Sequence, residues 1–163
     1  MNPFHLQGRT ALVTGGFSGL GQHFARVLAG HGAHVALLGR RIDLGHEVAD
    51  EMSRAVGRPG AVCAYAADVT DSASVIDAIA RAGAEQGVAT IVINNAGTVT
   101  RAPSLDVSED DWRAVVEVNL SGVFRVAQAS ARAMLAAGQG GSIINIASIL
   151  GLRVRTQVAS YAA

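Results

Sequence analysis

Lysine is absent: all thirteen basic side chains are arginines, and thirteen acidic ones balance them to a formal net charge of zero. Without an ε-ammonium group in the sequence, a Schiff-base lysine and a P-loop lysine are excluded. Neutrality without a basic stripe excludes nucleic acid as the main partner, because phosphate binding needs a clustered positive footprint. Cysteine occurs once, as Cys63, so no internal disulfide forms and a cytoplasmic setting is expected. Long apolar runs are missing too. None approaches the ~20 residues of a membrane span, and Met1 to Gly8 has no positive cluster leading into an apolar stretch, so neither membrane nor secretory signal is expected. The five histidines, at 5, 23, 31, 34 and 46, share no metal-ligand spacing, and no metal is expected.

What is present is apolar and periodic. Hydrophobic residues make up 50% of the chain and charged ones 16%, against about 25% in typical globular proteins, which predicts one well-buried domain over 1–163. Strand-like runs at Thr10 to Thr14, Ala33 to Leu38, Ala61 to Ala66, Thr90 to Ile93 and Ser142 to Ala147 alternate with helix-period stretches. The first helix carries Leu20, Phe24, Val27 and Leu28 as its apolar stripe and closes at Gly30 and Gly32. The second spans Asp43 to Val56. The third spans Ser72 to Gln86, with Val75, Ile76 and Ile79 on its buried side. A long fourth helix, Ser108 to Ala137, has Trp112, Val115, Val116, Val123 and Val126 on its packed stripe. Alternating strand and helix with right-handed crossovers predicts an α/β fold, a doubly wound parallel sheet of the Rossmann type.

Between the first strand and helix lies Thr14-Gly15-Gly16-Phe17-Ser18-Gly19-Leu20-Gly21. Glycines there let the backbone turn sharply, approach a pyrophosphate and aim helix-start N–H groups at negative charge. The alternative is a bare tight turn. At the end of the second strand, an acidic residue would accept from the ribose 2′-OH of NAD, whereas arginine would accommodate the 2′-phosphate of NADP. Gly39 stands where the carboxylate would be, and Arg40 and Arg41 follow, which favours NADP. Two arginines that merely open a solvated surface loop would leave NAD as the alternative.

The pattern T-G-x-x-x-G-x-G at Thr14 to Gly21 and Asn94-Asn95-Ala96-Gly97 after the fourth strand resemble the short-chain dehydrogenase/reductase family. Asp68-Val69, Asn119, Ser148 and Tyr161 complete that family's series in order, with Ser148 and Tyr161 thirteen positions apart. The resemblance implies a dinucleotide site built by Gly15, Ser18, Gly19, Leu20, Gly21, Arg40, Arg41, Asp68, Val69, Asn95, Ala96 and Gly97. In it the Asp68 carboxylate accepts from the adenine amino group, although a helix-capping role for Asp68 fits the residues equally. Thr14 and Asn94 read as structural partners. The resemblance also implies hydride transfer between a nicotinamide and a carbonyl or secondary alcohol. Tyr161 would be the acid/base, Ser148 would bond the substrate oxygen, and Asn119 would hold a relay water. A free tyrosine, with a pKa near ~10, needs a neighbouring positive charge to act as a base.

In the family that charge is a lysine four residues after the tyrosine, which would be position 165. Residues 1–163 are therefore expected to be the N-terminal part of a longer oxidoreductase domain, with a C-terminally incomplete sheet exposed near the fifth strand. Negligible turnover is expected of the 163-residue chain itself. The alternative is a truncated, non-catalytic dinucleotide-binding module. The Thr98 to Pro103 and Gly141 to Tyr161 segments resemble relatives acting on sugar acids. Arg101, Arg153 and Arg155 either attract a substrate carboxylate or are merely solvated. A homo-oligomeric parent is implied as well.

Overall fold

The computed structural model describes residues 4–153 and 155–163. The reading of the Met1 to Gly8 segment therefore lies partly outside the described residues.

Five strands form one parallel sheet. The first, β1 (Thr10–Thr14), is an apolar run buried at every position. The others are β2 (His34–Gly39), β3 (Val62–Ala66), β4 (Ala89–Asn94) and β5 (Ser142–Asn145), in spatial order β3-β2-β1-β4-β5. All four pairings are parallel. The order reverses at β1, so the chain winds outward in both directions and leaves a crevice beyond the carboxyl ends of β1 and β4.

Side-chain alternation along the strands splits the core in two. Ala11, Val13, Val35 and Leu37 face α1 (Gly19–Gly30) and α2 (Ile42–Ala55), meeting Ala25, Ala29, Val48 and Met52. Leu12, Ala36, Leu38 and Val92 face the other way, meeting Val75, Ala78 and Ile79 of α3 (Ser72–Gln86) and Val126 of α5 (Val123–Ala136).

The expected long fourth helix is interrupted. It begins as α4 (Glu109–Val116), opened by Ser108, whose hydroxyl accepts from the Asp111 N–H. It then passes through a π-helical turn at Glu117–Gly122 before continuing as α5. One tertiary contact and one local ion pair accompany this turn. A Cβ on Gly122 would stand 2.9 Å from Val69 Cγ2, so the helix lies directly against the loop after β3. The Arg125–Glu117 ion pair then bridges the turn.

Other expectations are corrected at the level of faces and ends. Ile76 is 56% exposed, because α3 seats the smaller Ala78 and Ala82 on the sheet beside Val75 and Ile79. In α1 the residues against the sheet are Gly21, Ala25 and Ala29. Their small side chains bring the helix close, leaving Leu20 and Val27 exposed and Phe24 and Leu28 half-buried at the flanks. Trp112 is likewise exposed and only Val115 of α4 is buried. Strand β5 stops at Asn145 rather than Ala147, since its last partner on β4 is Asn94. All four β5 residues are exposed.

Candidate active site

The glycine turn is fastened from both sides of the crevice. Gly15 N–H donates to the Leu38 carbonyl at 2.8 Å, so the turn leaves β1 still paired to β2. Gly15 (φ +63°) and Gly19 (φ +55°) occupy the left-handed region, where glycine carries no steric penalty. Gly21 is required by proximity instead: a Cβ there would lie 2.3 Å from the Gly15 carbonyl oxygen and 2.6 Å from Asn95 Nδ2. Helix α1 starts at this turn without a side-chain cap from Ser18 and without an acidic residue in its first turn. Its free N–H groups and exposed first residues, Gly19 and Leu20, thus offer an uncompensated positive helix end. Both a close backbone cradle and an open helix start fit a pyrophosphate.

Across the crevice, the turn after β4 is tied to the glycine turn. Thr14 Oγ1 accepts from the N–H groups of Asn95 and Ala96, each at 3.0 Å. Asn95 Nδ2 donates to the carbonyls of Thr14 at 3.1 Å and Gly15 at 3.4 Å. Asn94 is buried and donates to Asn145 Oδ1 at 2.9 Å, linking β4 to β5. Thr14 and Asn94 are thus engaged within the fold. Gly97 is exposed, and the next residue, Thr98, is clamped by Asn119: its N–H donates to Asn119 Oδ1 at 2.8 Å, and Asn119 Nδ2 donates to its carbonyl at 2.9 Å. Asn119 sits in the π turn, so that irregularity aims its amide at the loop after β4.

Asp68 and Val69 close a third side. Asp68 does not cap α3; Asp71 does, accepting from the Ala73 N–H. Asp68 Oδ1 accepts instead from the Thr70 N–H at 2.9 Å and the Thr70 hydroxyl at 2.7 Å. Those two bonds hold its carboxyl below the ordinary range against a smaller effect of burial, and the Arg40 charge adds to them. At the end of β2, Gly39 is followed by Arg40 and Arg41, both exposed at the start of α2.

Ser148 and Tyr161 come from segments that touch. Ser148 opens a 3-10 turn at Ile149–Gly151, its hydroxyl accepting from the Leu150 N–H at 3.2 Å. Tyr161 is half-buried on α6 (Ala159–Ala162), which packs against both that turn and α4. The segment before α6 is tied to the loop after β4: Ala102 N–H donates to the Gln157 carbonyl at 3.1 Å, and Ala102 bridges Val158. Gln157 takes φ +65°, unusual for a residue with a Cβ. Asn119, bonded to Thr98, and the segment that leads into Tyr161, bonded to Ala102, therefore hang on one loop. Arg101, Arg153 and Arg155 are exposed, with no carboxylate ion pair among the described residues.

Among the described residues, no three His, Cys, Asp or Glu side chains are grouped to hold a metal, and no helix is long and apolar enough to cross a membrane. Cys63 is a free thiol, pushed up first by burial and then by the Glu85 charge. Tyr65, the other tyrosine, is buried, with its hydroxyl donating to Glu85 Oε2 at 2.9 Å; burial and that bond both raise its pKa.

Two features of the site have no signal in sequence periodicity. Gln157 owes its conformation to a long-range bond. Phe17, in the middle of the glycine turn, is buried beneath the end of β2; an aromatic residue between glycines is its only mark in the sequence.

The short chain dehydrogenase family profile matches residues 9–163. A sorbitol dehydrogenase of Cereibacter sphaeroides is 38% identical over 97% of this chain and 59% of its own length. A gluconate 5-dehydrogenase of Gluconobacter oxydans is 39% identical over 98% of this chain and 61% of its own. Among solved structures, a gluconate 5-dehydrogenase from Burkholderia cenocepacia, in complex with NADP and tartrate, superposes with a TM-score of 0.88 at 42% identity, covering 98% of this chain and 61% of that one. The chain thus spans roughly three-fifths of the length of these relatives, which are themselves enzymes. On the matched span, with the doubly wound sheet that carries it, the chain belongs to the short-chain dehydrogenase family.

Proposed function

We propose that residues 1–163 are the N-terminal part of a longer NADP-preferring dehydrogenase domain, acting on a secondary alcohol or carbonyl of a small polar substrate such as a sugar acid. The observation that carries this reading is the single loop from which Asn119 and the segment that leads into Tyr161 both hang, beside the crevice that Gly15, Gly21 and Asn95 line. Gly15, Ser18, Gly19, Leu20 and Gly21 would receive the pyrophosphate, Asp68 and Val69 the adenine, Asn95, Ala96 and Gly97 the nicotinamide ribose, and Arg40 and Arg41 a 2′-phosphate. When bound, the nicotinamide supplies or accepts the hydride.

The protein's own groups handle the proton. Ser148 Oγ accepts from Leu150, which leaves its O–H free to donate to the substrate oxygen. Tyr161 exchanges the proton at that same oxygen as general acid or base. Both amide atoms of Asn119 are committed to Thr98, so its main-chain carbonyl, in the widened ladder of the π turn, is the group left to hold a relay water. Exposed Arg101, Arg153 and Arg155 favour a carboxylate-bearing substrate. A cytoplasmic setting, in keeping with the single cysteine Cys63, is part of this reading. The exposed Leu120, Phe124 and Leu135 on one helix support a homo-oligomeric parent.

The test is turnover by the natural full-length protein with NADP and NAD over a panel of polyols and sugar acids. Tyr161→Phe should lower kcat by about 10²- to 10⁴-fold with coenzyme affinity retained. Coenzyme binding without turnover on any substrate would instead favour a non-catalytic dinucleotide-binding module. The 163-residue chain alone should show negligible turnover, and adding the downstream residues, with a lysine at position 165, should restore it.

A further inference from the structure

We propose that Phe17 enforces coenzyme choice by closing position 39 to any side chain, and so to the carboxylate that would select NAD. The inference rests on the NADP reading of this site given above. Gly39, at the end of β2, and Gly45, in α2, both lack a left-handed φ, so backbone conformation demands glycine at neither position. The Phe17 ring does. A Cβ on Gly39 would lie 2.7 Å from Phe17 Cε2 and 2.8 Å from Cδ2. A Cβ on Gly45 would lie 2.5 Å from Cζ and 2.7 Å from Cε1. Carbon atoms in contact sit at about 3.5–4.0 Å, so either addition forces the ring to move.

The ring is closely confined. It is 5% exposed, sandwiched between the two glycines, and part of the apolar core that includes Leu37, Val48 and Ala49. One aromatic side chain in the pyrophosphate turn therefore accounts for two glycines elsewhere. The consequence for recognition is double. An Asp or Glu at 39, which would accept from a ribose 2′-OH and repel a 2′-phosphate, has no space for its Cβ. The contact with Gly45 meanwhile seats the start of α2, where Arg40 and Arg41 are displayed, directly on the ring. The site is thus denied the carboxylate that would favour a ribose 2′-OH, and the arginines at 40 and 41 are left to favour a 2′-phosphorylated dinucleotide.

The test is a pair of double-variant cycles in the natural full-length protein. Melting temperature is read without coenzyme, and NADP and NAD affinities are read by calorimetry. Gly39→Ala should lower Tm by about 5 °C when Phe17 is present. In a Phe17→Ala background the same change should leave Tm within about 1 °C. Gly39→Asp alone should lose NADP without gaining NAD, whereas Phe17→Ala with Gly39→Asp should bind NAD at least about tenfold more tightly than Gly39→Asp does. Should Gly39→Asp fail to fold, its rescue by Phe17→Ala supports the proposal, and the Gly39→Ala cycle decides it in any case. Equal Tm losses for Gly39→Ala in both backgrounds, or NAD binding by Gly39→Asp equal to that of the double variant, would overturn it. A wild-type protein that prefers NAD would sink the NADP reading alone, since the Tm cycle reports the steric interlock independently.

Discussion

Strands β1 and β5 belong to the same sheet, separated only by β4, and both are apolar in the middle and polar at their ends. In β1 every residue is buried, because α1 and α2 cover one face and α3 and α5 the other. In β5 every residue is exposed, and its hydrogen-bonded neighbour in the sheet is β4 alone. The end proposed to take the coenzyme is built on the first kind of strand, and the end proposed to take the substrate on the second. Gly15 and Thr14 lead directly from β1 into a net of bonds to β2 and to the turn after β4. Ser148 follows β5, and Tyr161 is held by a loop contact and a four-residue helix. The proposed dinucleotide binding and proton transfer therefore rest on supports of unequal strength, and the proposal makes the first independent of the second.

Removing core atoms tests that inequality most forcefully. Leu12→Ala in β1 should destabilise by about 2–5 kcal/mol, because a fully buried leucine leaves a cavity. Next in size is Thr14→Val, which keeps the shape but leaves the Asn95 and Ala96 N–H groups without their acceptor. Unfolding in denaturant should report a loss of about 1–3 kcal/mol, together with weaker NADP binding.

Asp68→Asn should act more gently and with a definite pH sign. The Asp68 carboxyl is lowered in the folded protein, so its charge stabilises above the ordinary carboxylate range, and the benefit disappears as pH falls through the lowered value. The melting temperatures of wild type and variant should differ by about 2 °C near neutrality and converge below about pH 4. A difference that persists into acid would show that the Thr70 bonds act through shape rather than charge. The smallest effect is expected from Ile144→Ala in β5. That residue is 45% exposed, and the change should move stability by less than about 0.5 kcal/mol while reducing association at high concentration. A loss comparable to that of Leu12→Ala would erase the contrast between the strands.

The covered half was the legible half. The bounds of β1 and α3 coincide with the sequence expectation: the first is a dense apolar run between a glycine turn and an arginine, and the second opens directly after Asp71. Motif order likewise put the glycine turn, Asp68, Asn95 and Arg40 at one end of the sheet. What escaped depends on contacts between distant residues. Glu117 to Gly122 is compatible with an ordinary helix, and the π turn there goes with contacts the sequence does not reveal: Gly122 against Val69, Asn119 against Thr98 and the Arg125–Glu117 pair. Ile76 fits an apolar stripe as well as Ile79 does, yet the sheet takes the small residues of that helix. Phe17 lies in a turn, where periodicity carries no information, and its two glycine partners are 22 and 28 positions away in the chain.

Calorimetric titration of the 163-residue chain with NADP and with NAD tests the central claim most directly. Saturable one-to-one binding of NADP, at least about tenfold tighter than NAD and unaffected by Tyr161→Phe, is the result predicted for a coenzyme site complete on the covered strands. Failure to bind either coenzyme by a folded chain, or a loss of NADP binding on Tyr161→Phe, would contradict it.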